Sequence, residues 1–270
     1  MSRPEREAPP EIFYNQTEAE KYTRSTRMIE IQARLTERAI ELLALPENSP
    51  CLLLDIGCGS GLSGECVERA GHNWIGMDIS KDMLDVAVDR GRAGEVTHCD
   101  MGQGIPYRTG MFDGAISISA LQWLFYPSKR SHNPKKRLMK FFEQLYSSLH
   151  RGSRAVLQFY PEEPIQMEMA VRCAMANGFT GGLVVDFPNS TKAKKYYLTI
   201  TAGTNHTYLA PLNDMQMQES SSAGTATRST VQNEGRRRYM GRKGKKKGKR
   251  LAPKSRSWIL SKKERQRRQG

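Results

Sequence analysis

Residues 52–64 read LLLDIGCGSGLSG. An apolar run breaks on an acid, and a glycine-rich loop follows at once. A run that is apolar at every position predicts a strand buried on both faces, and such strands belong to parallel sheets covered by helices. The pattern recurs down the chain. CLLLDI (51–56), NWIGMDI (73–79), EVTHCD (95–100), FDGAISISA (112–120) and SRAVLQFY (153–160) read as strands. Helical spacing lies between them. Met28, Ile31, Leu35, Ala39 and Leu42 share one face of a helix over 17–45, which Pro46 and Pro50 end. A second helix runs over 62–70 to Gly71, and a third starts at a Ser80 cap and reaches about Arg90. Asn133 and Pro134 open a fourth, which buries Leu138, Phe141, Phe142, Leu145 and Leu149. A helix over 163–176 and the strands GGLVVDF (181–187) and KYYLTI (195–200) follow. PNSTKAK, between the last two, is too short for a helix and predicts an antiparallel hairpin at the sheet edge. The fold class is α/β: a seven-stranded, mostly parallel sheet with helices on both faces.

Charge divides the chain. Residues 236–270 hold 17 of the 42 Lys and Arg and a single acid, Glu264, so the rest is close to neutral. The boundaries follow: a polar, Pro-rich N-terminal arm over 1–16, its first twelve residues flexible; a globular domain over 17–202; a Ser/Thr/Gln-rich disordered linker over 203–235; a disordered basic tail over 236–270. The five cysteines are scattered without a CxxC pair, and the five histidines show no ligand spacing. That predicts reduced thiols in an intracellular protein and no metal site. No apolar run approaches the ~20 residues that span a bilayer, and the first residues lack a signal's apolar core.

Gly59 to Gly64 match GxGxxG, a fingerprint of dinucleotide sites, but Asp55 argues against a pyrophosphate there. A carboxylate would repel that anion and welcome a ligand with positive charge and no phosphate. S-adenosylmethionine is such a ligand. Asp78 ends the second strand, where an acid accepts from ribose hydroxyls. Asp100 ends the third, with Met101 beside it, in reach of an adenine amino group.

These residues resemble the class I S-adenosylmethionine-dependent methyltransferases, with their Rossmann-like sheet. The likeness narrows in RPEREAPPEIFYNQTEAEKYTRSTRMIEIQ, ISALQWL, PKKRLMKFFEQLY and GFTGGLVVDFPNSTKAKKYYLTI, and again in PKSRSWILSKKERQRRQ. Together they are similar to the eukaryotic small-subunit (18S) ribosomal RNA guanine-N7 methyltransferases over residues 1 to about 203 and in the basic tail. Residues 205–234 do not align. The resemblance implies methylation of one guanine of small-subunit ribosomal RNA during pre-rRNA processing and ribosome biogenesis, in the nucleus (nucleolus or nucleoplasm), with the cytoplasm also open. It implies a heterodimer with a small zinc-ribbon activator lying along the third strand, and no membrane. It carries cofactor contacts onto Tyr22, Asp55, Gly57, Cys58, Gly59 and Gly61, and onto Asp78, Ile79, Asp100, Met101 and Ser117.

Guanine N7 has a free lone pair, so substrate positioning is expected in place of a general base. Gln122 and Trp123, after the fourth strand, and Tyr160, after the fifth, are the residues to do it: one for a base edge, two for stacking. Trp123 fits a core position equally well. Tyr14 and Arg27 lie in the segment expected to close over the cofactor. The basic run SKRSHNPKKRLMK (128–140) is either a phosphate grip or a solvated helix face. Two other readings remain compatible: a small-molecule methyltransferase whose tail is only an address, and an assembly factor that acts without turnover.

Overall fold

The computed structural model describes residues 3–47, 49–91, 95–129, 131–190 and 193–203. The expected linker, except Gly203, and the whole basic tail lie outside the described residues.

One sheet runs in the order β3-β2-β1-β4-β5-β7-β6. Its strands are β1 Leu52–Ile56, β2 Asn73–Asp78, β3 Glu95–His98, β4 Phe112–Ile118, β5 Leu149–Phe159, β6 Phe179–Asp186 and β7 Lys195–Ala202. The first five are parallel neighbours, and β7 pairs antiparallel with both β5 and β6. The parallel sheet and its edge hairpin are as expected.

Strand alternation sorts the core into two layers. Leu53, Trp74, Ile116, Val156 and Tyr197 point to one face. There they meet α4 Thr26–Leu43, α5 Leu62–Arg69 and α6 Lys81–Asp89. Leu54, Ile56, Met77, Ala115, Leu157 and Leu198 point to the other. That face is covered by the short 3-10 helix Leu121–Phe125, α7 Pro134–Ser148 and α8 Pro164–Ala176. Asn133 caps α7 by accepting from the Lys136 N–H, and Ser80 caps α6 through Met83.

Two expectations give way. The helix over 17–45 is two helices, α3 Gln16–Arg24 and α4. Ser25 between them is extended, and its hydroxyl caps α4 by accepting from the Met28 N–H. The apolar spacing began at Met28 and so described α4 alone. Nor is the N-terminal segment loose. It forms two one-turn helices, α1 Pro4–Glu7 and α2 Pro10–Phe13. The Arg3 guanidinium donates to the carbonyls of Tyr160 (2.9 Å) and Pro161 (3.2 Å), and Arg6 pairs with Glu162 at 2.5 Å. A polar segment builds no core of its own, but here it finds partners on the loop after β5.

Candidate functional site

β1 and β4 are neighbours whose chains depart toward opposite edges of the sheet, so a crevice opens over their carboxyl ends. A space of about 890 Å³, partly open to solvent, lies there. Gly57, Cys58, Gly59 and Ser60 line it from the loop after β1. Asp78 and Ile79 line it from the end of β2 and Met83 from α6, while Asp100 and Met101 come from beyond β3 and Arg137 from α7. Ser119, Ala120 and Trp123 come from the end of β4; Pro10, Tyr14 and Tyr22 come from the N-terminal segment.

Asp78 organises one wall. Its carboxylate accepts from the N–H of Gly59 at 2.9 Å and of Ser80 at 2.8 Å. Burial pushes its pKa up, and these backbone donors pull it back. Each oxygen keeps a lone pair for a further donor. Gly57 sits at φ +76°, and a Cβ there would stand 2.3 Å from Ala120 Cβ. The loop thus passes the β4 end as closely as backbone can.

Asp55 is placed otherwise than expected. It does not line the space. Alternation puts it on the face of Leu53, under α5, fully buried. Ser63 Oγ donates to its Oδ2 at 2.5 Å, while Oδ1 has no partner among the described residues. Burial pushes its pKa up to about 7. An unfolded aspartate ionises near pH 3.9. Between there and about pH 7 the folded chain keeps a proton that the unfolded chain has released. Asp55 therefore weakens the ligand-free fold progressively as pH rises through that window, and its cost is complete above it. Asp55→Asn is expected to melt above the parent at about pH 8, with the gap closing toward about pH 4. Calorimetry at the two pH values checks this; an equal gap at both would refute it.

Gly61 is the N-cap of α5 at φ +79°, behind the loop. Ser117 is fully buried and donates to the Ile56 carbonyl at 2.8 Å, tying β4 to β1. Neither lines the space. Asp100 does, but it is already engaged: Arg137 reaches its Oδ1 at 2.5 Å, with both side chains 11% exposed. The Gly102 N–H donates to the same oxygen at 2.9 Å. A Cβ on Gly102 would fall 2.2 Å from Arg137 Nε, so that glycine makes room for the guanidinium. One cation of the basic run thus serves neither a phosphate nor open solvent; it is paired inside the site.

Of the three positioning candidates, only Trp123 borders the space. It is 9% exposed and packs against Phe13 and Tyr14, ring centroids 6.2 and 6.0 Å away. Gln122 is turned inward; its Nε2 donates to the Ser119 carbonyl at 2.8 Å. Tyr160 stands outside the lining, its carbonyl held by Arg3 and its ring under Lys195 Nζ at 5.0 Å. Arg27 is exposed and apart.

Sequence reasoning passed over Ser60, Ser119 and Arg137. Ser119 has φ +57°, left-handed and strained for a residue other than glycine. Buried Gln158 holds it, accepting from both its N–H (3.0 Å) and its hydroxyl (2.9 Å) through Oε1. Nothing in SISALQWL announces that turn. Tyr14 and Tyr22 are half-buried phenols, and desolvation pushes their pKa values far above the ordinary range, so both stay neutral.

Comparison with known proteins matches residues 54–157 to the family described as "Methyltransferase domain". Residues 200–270 match "Methyltransferase involved in Williams-Beuren syndrome", a match that runs through the stretch left unaligned above. The chain is 53% identical over 268 residues to the mouse "18S rRNA (guanine-N(7))-methyltransferase", covering 99% of this chain and 92% of that protein. It is 51% identical over 271 residues to the Dictyostelium discoideum "Probable 18S rRNA (guanine-N(7))-methyltransferase", covering 100% and 94%. Among solved structures, the Synechocystis magnesium protoporphyrin IX methyltransferase with bound S-adenosylmethionine superposes with TM-score 0.52 at 18% identity, over 75% of this chain and 99% of that one. That likeness is one of fold.

Proposed function

Because the chain belongs to the 18S ribosomal RNA (guanine-N7)-methyltransferase family, we propose that it transfers a methyl group from S-adenosylmethionine to N7 of a guanine in small-subunit ribosomal RNA, within pre-rRNA processing and small-subunit assembly. The observation that carries this reading is the cavity itself, in which the glycine loop and two strand-end acids face Trp123 under a cover of Tyr14 and Tyr22.

The residues present fit the cofactor. Asp78 has lone pairs left for the two ribose hydroxyls. Ser60 Oγ is buried in the lining without a partner among the described residues, and suits the amino-acid end. Asp100 and Met101 border the place for the adenine. Asp55 supplies negative field behind the loop. When bound, S-adenosylmethionine contributes an electrophilic methyl group on a sulfonium.

The chain's part is to position and to exclude water, which is worth up to about 7–11 kcal/mol in a well-oriented pair. N7 arrives with its lone pair free, so no residue has to take a proton first. The nearby groups suit that. Glu162 is occupied by the Tyr126 hydroxyl and by Arg6, which together hold its pKa below the ordinary carboxylate value. The single-turnover rate on saturating cofactor and RNA is therefore expected to be flat from about pH 6 to pH 9. Glu162→Gln and Glu163→Gln are expected to keep it within a few-fold. A rate that climbs tenfold per pH unit, and stops climbing in either variant, would mean an acceptor that carries a proton. A mass-spectrometric methylation map of small-subunit RNA with and without the protein reads the same question in cells.

The proposal extends to a partner and a place. A small zinc-ribbon activator would cover β3. In support, among the described residues β3 is the outer strand and pairs through Glu95–His98 with β2 on one side only, and natural sheets tend to cover such edges. The 17 basic residues of 236–270 support RNA binding and nuclear import as uses of the tail. Among the described residues no helix is long and apolar enough to cross a membrane.

A further inference from the structure

The turn between β6 and β7 carries an aromatic ring that the fold does not use. Phe187 follows β6 directly and is 65% exposed. Its φ is +52°, a left-handed conformation that strains any bulky L-residue. Glycine or asparagine would hold this position with less strain. The turn is tied by other atoms: the Ser190 N–H donates to the Phe187 carbonyl at 3.0 Å, and the Ala193 N–H to Ser190 Oγ at 3.0 Å. Neither burial nor backbone geometry accounts for a phenyl ring here, and such an outlier points to a use.

Register fixes where the ring stands. Phe159 is opposite Tyr196, and Asp186 is opposite Lys195. The turn therefore rises at the carboxyl end of β5, beside Tyr160, on the side of the sheet end where the cavity opens. Two acids of this rim are matched, Asp186 by Arg38 at 3.1 Å and Glu162 by Arg6 at 2.5 Å, while Glu163 is exposed. Lys195 lies over the Tyr160 ring, and Lys194 precedes it. Neither lysine makes an ion pair among the described residues. An exposed ring next to two cations outside any ion pair is what single-stranded RNA grips, with bases on the ring and phosphates on the cations.

We propose that Phe187 is a stacking platform for a nucleotide flanking the target guanine, and that Lys194 and Lys195 hold the adjoining phosphates. This deepens the RNA reading above and rests on it. The target base goes to the cavity; the ring outside sets which nucleotide of the strand reaches it.

The test uses the full chain, with its activator where one is needed for solubility, and unmethylated small-subunit precursor particles as substrate. Phe187→Ala is expected to raise KM for the particles by about 5- to 150-fold, the span that base–aromatic stacking covers. The kcat, the affinity for S-adenosylmethionine and the melting temperature are expected to hold. Phe187→Trp is expected to restore KM, which a merely structural defect would not allow. Replacing both lysines by glutamine is expected to flatten the slope of log affinity against log salt by ~1.4, at ~0.7 per single-strand contact. An unchanged KM in Phe187→Ala, with a parent that methylates its guanine, overturns this inference and leaves the N7 reading standing. A parent that methylates no guanine overturns the N7 reading itself. Loss of a bound protein partner in Phe187→Ala, with RNA affinity intact, would make the ring a protein contact and also overturn the inference.

Discussion

Asp78→Ala is expected to abolish measurable binding of S-adenosylmethionine while the protein still folds. The variant loses the acceptor for both ribose hydroxyls. It also frees the Gly59 N–H, whose bond to Asp78 at 2.9 Å holds the glycine loop against β2. Hydrogen bonds to a charged group are worth about 1.5–3 kcal/mol each, so two of them put the loss of affinity on the order of 10²- to 10⁴-fold. The structure adds a cost that the strand-end position alone did not suggest. Ser80, at the start of α6, loses its 2.8 Å bond to the same carboxylate. A melting point lower by several degrees is therefore expected alongside, at about 2–4 °C per kcal/mol for a domain of this size. Titration calorimetry and a thermal scan on one sample read both effects. Normal affinity in a normally melting variant would remove Asp78 from the cofactor site.

Gly57→Ala is expected to be nearly as severe, by a different route. The added methyl would meet Ala120 Cβ at 2.3 Å. Ala120 cannot rotate away, because that carbon is fixed to its backbone. Either the glycine loop or the β4 end has to move, and both line the cavity. Overpacking of this kind costs about 1–3 kcal/mol, and the left-handed φ adds about 1 kcal/mol more. The expected result is a melting temperature lower by about 5–15 °C and S-adenosylmethionine affinity reduced at least about tenfold. Gly71→Ala is the control, since it shares a positive φ (+84°) and meets nothing within 4 Å. If the two variants behave alike, strain alone explains the loss and the contact with Ala120 is irrelevant.

The sheet was legible because its signals are local. A short apolar run such as CLLL, closed by an acid and a glycine loop, reads as a doubly covered strand, and Asn133-Pro134 states a helix start in two residues. Ser25 was missed because a cap inside a long amphipathic stretch leaves the apolar period intact on its far side. Asp55 was read as a strand-end acid beside the ligand, and it lies within β1 on the face under α5. Its parity with Leu53 was already in the sequence, and counting by two from Leu53 would have put it under α5. The remainder of the site is non-local. Arg137 reaches Asp100 across 37 positions, and Gln158 steadies Ser119 across 39. No residue type or spacing reports such meetings before the sheet has brought the strand ends together.

The contacts of Arg3 have a consequence for the order in which this protein becomes whole. The bond to Tyr160 joins residues 157 apart, so Arg3 is synthesised well before the loop that anchors it. At roughly 5–20 residues per second, Arg3 waits about 8–30 s before its anchoring loop has been made. Everything between has time to pair before the cavity can be covered. The cover is thus synthesised before the loop that anchors it, and the strands made in between can pair while the cavity is still open. A bulky fusion ahead of Arg3 would burden that closing step more than any step before it, yielding molecules with a finished sheet and an unsealed pocket.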